Sequence, residues 1–153
     1  MILRRLFDEQ LAQASYLVAC EHSKEALVVD PNRNVAQYLE AAAHDNVRIV
    51  AVTETHIHAD FVSGSRELAR TTGAKLYLSG EGGEDWQYAF ASESGAELLK
   101  RGSQFTVGDV GIEALHTPGH TPEHMTFLVT DTAVGNEPMG AAWGSCSSSR
   151  SAA

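Results

Sequence analysis

Cysteine, basic residues and long apolar runs are all scarce in this chain of 153 residues. Its two cysteines, Cys20 and Cys146, lie far apart, which argues against a disulfide framework and against a zinc site built from paired cysteines. Lysine and arginine number 11 against 20 acidic residues, a formal net charge of −9, so neither nucleic acid nor an anionic membrane is an expected partner. No apolar run approaches the length of a membrane span, and the first residues lack the apolar core of a signal peptide. We therefore expect a protein of the reducing cytoplasm.

The rest of the chain has the pattern of one domain in which strands and helices alternate. Short apolar runs are separated by two segments of helical periodicity, residues 35–43 and 63–72, and Asn34 is placed to cap the first of them. A glycine-rich stretch, residues 80–95, is either a functional loop or a plain connection. The chain from residue 141 onward shows no periodicity. We therefore predict a folded domain over residues 1–140 and a flexible tail over residues 141–153.

The first informative motif is T-H-I-H-A-D-F at residues 55–61, which directly follows the apolar run 47–52. In an extended segment, residues two apart point the same way, so His56, His58 and Asp60 can converge at the carboxyl end of a strand. Imidazole and carboxylate are good ligands for zinc or iron. Phe61 cannot bind a metal. The motif therefore predicts a site for one metal at most.

The second motif is H-T-P-G-H-T-P-E-H at residues 116–124. Pro118 fixes one φ angle and Gly119 permits a tight turn, an arrangement that would hold His120 firmly as a ligand arriving from another part of the fold. We interpret His116 and His124 as supporting or structural residues rather than as ligands. Together the two motifs predict a metal site shared by distant segments of the chain.

With these motifs the sequence resembles the metallo-β-lactamase superfamily, whose signature is H-x-H-x-D-H followed by a distant T-P-G-H-T. Residues 54–61, 77–83 and 116–124 resemble its persulfide dioxygenase-like branch, and phenylalanine at position 61 is similar to the rhodanese-linked members. The resemblance runs from about Leu3 to Gly140. It implies an α/β (α+β) fold, the N-terminal half of an αββα sandwich over residues 1–140, followed by a tail that does not match the family.

The resemblance also implies a ligand set and a reaction. One Fe(II), with Zn(II) as the alternative, would be bound by His56 and His120. His58, Asp60 and His116 would line the site or serve as alternative ligands, while the residue at position 61 would block a second metal. No further catalytic residue is assigned. The implied reaction oxidises glutathione persulfide, or a similar persulfide, to sulfite and thiol. A rhodanese domain is the implied protein partner. A homo-oligomer is a further expectation.

The sequence departs from the family pattern at the third metal ligand, an aspartate that follows an E-P-M-G segment. Residues 137–140 read E-P-M-G, but Ser145 stands where the aspartate is expected, and a neutral hydroxyl is a poor metal ligand. We therefore expect a truncated chain with weak or no activity. Two alternatives stay open. One is a glyoxalase II-like thioester hydrolase, which Phe61 disfavours because it removes a ligand of the second metal. The other is a non-catalytic fragment that depends on another chain.

Overall fold

The structure, a computed structural model, describes residues 1–142. The strands are β1 (Ile2–Asp8), β2 (Gln13–Cys20), β3 (Glu25–Val29), β4 (Arg48–Thr53), β5 (Lys75–Ser79), β6 (Glu97–Leu99), β7 (Gln104–Val107), β8 (Val110–His116), β9 (Met125–Asp131) and β10 (Gly140–Ala142). The helices are α1 (Ala36–His44) and α2 (Ser65–Thr72), with a short 3-10 turn at Glu84–Trp86. Neither α-helix in this part of the chain is long and apolar enough to cross a membrane.

The strands form two sheets of different character. The first has six strands in the order β1-β2-β3-β4-β5-β6, antiparallel from β1 to β3 and parallel from β3 to β6. Parallel neighbours need crossover connections, and α1 and α2 supply two of them. The second sheet has four antiparallel strands in the order β10-β9-β8-β7. The mixed α/β fold predicted from the sequence is confirmed.

Two apolar cores hold three layers together. Leu17 on one face of the six-stranded sheet is fully buried in a cluster with Tyr38 of α1 and Leu68 of α2. Leu27 on the other face is buried in a cluster with Phe127 of β9. Burying each large side chain contributes about 1.5–3 kcal/mol. The described residues therefore stack as helices, six-stranded sheet and four-stranded sheet.

Asn34 does not cap α1 as predicted. The residue at the helix N-cap is Val35, and no side chain bonds the first turn from that position. The side-chain oxygen of Asn32 instead accepts hydrogen bonds from the Asn34 N–H at 3.0 Å and from the Gln37 side-chain amide at 2.8 Å. Asn32 therefore orders the turn that leads into α1 without capping the helix. The predicted end of the other helix is confirmed, since α2 stops at Gly73 in the left-handed conformation.

The first two residues of the predicted tail, Ala141 and Ala142, belong to a strand instead. Ala141 and Ala142 belong to β10, where they pair with Leu128 and Phe127 of β9. Composition alone did not indicate this strand because two alanines carry no alternation of polar and apolar residues. The remainder of the predicted tail, residues 143–153, lies outside the described residues.

Candidate metal centre

The candidate site lies at the carboxyl ends of two neighbouring parallel strands. β3 and β4 pair with Val29 opposite Thr53, so Asp30 and the loop that begins at Glu54 leave the sheet side by side. Asp30 N–H donates to the Thr53 carbonyl at 2.9 Å. Its φ of +52° lies in the left-handed region, which residues other than glycine rarely adopt. Such backbone conformations concentrate at functional sites.

Asp30 holds the first turn of this loop through three contacts. Its Oδ1 accepts a hydrogen bond from Thr55 N–H at 2.6 Å, and its Oδ2 accepts one from the Thr55 hydroxyl at 2.7 Å. His58 Nε2 lies 3.1 Å from Oδ1. Because a carboxylate only accepts hydrogen bonds, His58 carries a proton on Nε2, and Nδ1 is the nitrogen left for another partner.

The same network determines the tautomer of His56. The single hydroxyl hydrogen of Thr55 goes to Asp30, so Thr55 Oγ1 must accept in its 2.9 Å contact with His56 Nδ1. His56 therefore carries its proton on Nδ1, and its Nε2 lone pair is free. Burial, and then the neighbouring His58, lower the pKa of His56 to about 4. The ring is neutral at pH 7, which is the form that binds metals.

Three other imidazoles surround His56. The ring centroids of His58, His120 and His124 lie 4.1, 4.8 and 5.2 Å from its own. Two imidazoles on one tetrahedral metal, with metal–nitrogen distances of about 2.1 Å, have centroids about 5 Å apart. The structure thus brings His56 and His120 together at a separation that suits a shared metal. Their role as ligands stays a prediction.

His58 sits between a carboxylate and an aromatic ring. Burial lowers the pKa of His58, but the hydrogen bond and the charge of Asp30 outweigh this and raise it above its ordinary value. The Phe61 ring packs against the imidazole with centroids 4.3 Å apart. Asp60 is exposed, and its charge also raises the pKa of His58. Phe61 therefore lies beside the cluster, as the predicted block to a second metal requires.

The second motif folds back on itself to present His120. His116 Nε2 bonds the carbonyl of Pro122 at 2.7 Å, and Thr117 N–H donates to the carbonyl of His124 at 2.9 Å. The intervening turn carries His120 at an exposed position. His116 thus supports the turn. His124, interpreted from sequence as structural, is buried beside His56, and burial lowers its pKa.

A second buried carboxyl closes the loop. Glu54 accepts hydrogen bonds from the hydroxyls of Ser63 and Ser65, so the two ends of the segment that carries His56 are joined. Burial raises the pKa of Glu54 above its ordinary value. Sequence reasoning missed both Asp30 and Glu54. Their positions in the sequence could have indicated them, since each directly follows one of the two parallel strands β3 and β4.

The donor chemistry suits a divalent metal, but the described residues do not complete a centre. Within residues 1–142, no three histidine, cysteine, aspartate or glutamate side chains are arranged to hold a metal ion. The Asp30 carboxylate already accepts hydrogen bonds from Thr55 and His58, and Asp60 is exposed to solvent. Ser145, which stands at the expected third-ligand position, lies outside the described residues.

Comparison with known proteins identifies the family to which this fold and site belong. The model of the metallo-beta-lactamase superfamily matches residues 9–132, so the chain is a member of that superfamily. It is 27% identical over 135 residues to the mitochondrial persulfide dioxygenase ETHE1 of Bos taurus, covering 86% of this chain and 49% of the relative. It is 27% identical over 172 residues to a probable metallo-hydrolase of Burkholderia pseudomallei, covering 93% and 56%.

A solved structure extends the likeness to three dimensions. A metallo-beta-lactamase of Staphylococcus aureus subsp. aureus COL superposes with a TM-score of 0.87 at 38% identity, covering 92% of this chain and 42% of that one. This agreement supports the predicted partial metallo-β-lactamase fold. The chain spans about half the length of these relatives.

Proposed function

We propose that the histidine cluster is the metal centre of a persulfide dioxygenase-like protein. The observation that carries this proposal is the convergence of His56 and His120, two imidazoles from distant segments. Phe61 packs against the neighbouring His58. Similarity to a persulfide dioxygenase directs the proposal toward sulfur oxidation. The reaction would be R–S–SH + O₂ + H₂O → R–SH + SO₃²⁻ + 2H⁺. The S–S bond would break, and the two sulfur atoms together would lose the four electrons that dioxygen gains.

The proposed cofactor is one Fe(II), with Zn(II) as the alternative. An iron bound by two imidazoles and a carboxylate keeps open positions at which dioxygen chemistry occurs. In this chain, Asp30 would orient His58, and Thr55 would keep the Nε2 lone pair of His56 directed to the metal. Since residues 1–142 provide no group of three ligands, we propose that the 153-residue chain binds metal weakly and has little activity.

A metal-dependent thioester hydrolase is the second candidate. The similarity to a probable metallo-hydrolase favours it, since a metal-bound hydroxide would attack a thioester carbonyl. Phe61 counts against it because the family's two-metal hydrolases need a ligand at that position. A non-catalytic fragment is the remaining alternative, and the incomplete ligand set is its support. A rhodanese partner, a homo-oligomer and a cytoplasmic location are further parts of the proposal.

The test begins with anaerobic reconstitution of the protein with Fe(II). Oxygen consumption and sulfite release are then measured with glutathione persulfide as substrate. Thioester cleavage is measured separately with a glutathione thioester. Sulfite without thioester cleavage supports the first candidate, and the reverse result supports the second. His120→Ala should abolish whatever turnover is present. His22→Ala is the matched control, because His22 is 89% exposed and pairs with Asp109 at a distance from the cluster, and it should retain most of the turnover. Equal loss in both variants would contradict the ligand assignment.

A further inference from the structure

We propose that Glu123 is a positioning residue that fixes His56 against the second histidine motif. This inference rests on the proposed metal centre and concerns the carboxylate that lies between His120 and β9. Neither the sequence pattern nor the comparisons assign Glu123 a role.

Two hydrogen bonds hold the backbone on either side of His56. Met125 N–H donates to the Thr55 carbonyl at 2.7 Å, a backbone contact between β9 and the loop. Ile57 N–H donates to Glu123 Oε1, also at 2.7 Å. The Glu123 carboxylate thus accepts the hydrogen bond that a backbone carbonyl would accept if the strand pairing continued to Ile57. His56 lies between the two points, so its peptide groups are fixed by the same segment that carries the second histidine motif.

Glu123 is itself held tightly. The residue is fully buried, and its carbonyl accepts a hydrogen bond from the Ser79 hydroxyl at 2.7 Å. On its far side, a Cβ added at Gly82 would lie 2.8 Å from the Glu123 Cβ. The segment after β5 therefore encloses the glutamate. Little freedom remains for its carboxylate to move away from Ile57.

Stability alone does not explain a carboxylate at this position. Its second oxygen, Oε2, is buried and has no hydrogen-bond partner among the described residues. A buried polar atom left without a partner lowers the stability of the folded state. An apolar side chain of similar volume would fill the space without that cost. The contact with Ile57 is the structural result that such a replacement could not reproduce.

Because His56 is central to the imidazole cluster, loosening its backbone should weaken metal binding. Removing a group that orients a ligand typically lowers metal affinity by about 10- to 100-fold. Glu123→Met keeps the length and the apolar contacts but removes the acceptor. Glu123→Gln keeps an oxygen that can accept from Ile57 N–H. Asp131→Asn is the matched control, because it changes another buried carboxylate of the same strand region at the opposite end of β9.

Two measurements test the proposal. The first is hydrogen exchange at the Ile57 amide in the metal-free protein, and the second is the Zn(II) dissociation constant from competition with a chelator. Glu123→Met should speed exchange at Ile57 and weaken Zn(II) binding by about 10- to 100-fold. Glu123→Gln should restore most of both. Asp131→Asn should leave Zn(II) affinity within about twofold of the wild type, because it contacts no histidine of the cluster.

Different results would refute the role of Glu123 and the proposed metal centre. Zn(II) affinity that falls equally in Glu123→Met and Asp131→Asn would overturn the positioning role. A wild-type chain that binds no Zn(II) would refute the metal centre, while exchange at Ile57 would still test the Glu123 contact. Should Glu123→Met not fold, the wild-type protein decides. Slow exchange at Ile57 is expected there, and exchange as fast as in an unstructured peptide would refute the contact.

Discussion

Asp30→Asn should destabilise the protein far more than the same substitution at another histidine-paired aspartate. Asp30 accepts two hydrogen bonds from Thr55 and one from His58, and its side chain and that of His58 are 4% and 5% exposed. Hydrogen bonds to a charged group contribute about 1.5–3 kcal/mol each. Leaving a buried donor without its acceptor costs about 1–3 kcal/mol. Asparagine keeps one acceptor oxygen, so we expect a loss of about 2–3 kcal/mol.

Asp109→Asn is the matched control for this substitution. Asp109 lies 3.1 Å from His22, the same separation as Asp30 from His58, but the side chains are 43% and 89% exposed. An exposed pair contributes at most about 1 kcal/mol. The assay is urea unfolding, in which the midpoint should shift and the slope should stay constant. Equal losses for the two variants, or a loss below about 0.5 kcal/mol for Asp30→Asn, would refute the argument from burial.

Three further predictions concern packing and metal stoichiometry. Gly82→Ala should lower the free energy of unfolding by about 1–3 kcal/mol, because φ at Gly82 is +87° and the added Cβ would lie 2.8 Å from the Cβ of buried Glu123. Gly83→Ala is the control, with φ +79° and no atom within 4 Å of the added Cβ, and it should cost less in the same urea assay. Phe127→Ala should lower the free energy of unfolding by about 3–5 kcal/mol, because Phe127 is buried in the core. Val134 is 77% exposed, so Val134→Ala should change it by less than about 0.5 kcal/mol. Similar losses in the two variants would contradict the assigned core. Phe61→His should raise the number of Zn(II) ions bound per chain, measured by elemental analysis after equilibrium dialysis against excess free Zn(II), and an unchanged number would contradict its role in blocking a second metal.

Local patterns predicted the histidine cluster, whereas its supporting residues depend on long-range pairing. The spacing of His56 and His58 predicted that their rings lie close together, and they do, although the segment is a loop and not the extended strand assumed in the prediction. Asp30 contacts them only because β3 and β4 are parallel neighbours, and the residues that separate these strands in sequence hide the relation. Glu123 reaches Ile57 across the junction of the two sheets, and its burial is contrary to what a glutamate in a polar segment suggests.

The position of the histidines on different sheets links the site to folding. His56 follows a strand of the six-stranded sheet, and His120 precedes β9 of the four-stranded sheet, so their rings meet only after the sheets have packed together. A metal bound by both rings would favour the packed state over every state in which the sheets are apart. At a free concentration 100 times its dissociation constant, it would add about 2.7 kcal/mol to the unfolding free energy. Metal-dependent thermal stability would therefore report the docking of the two sheets, even in a protein without turnover.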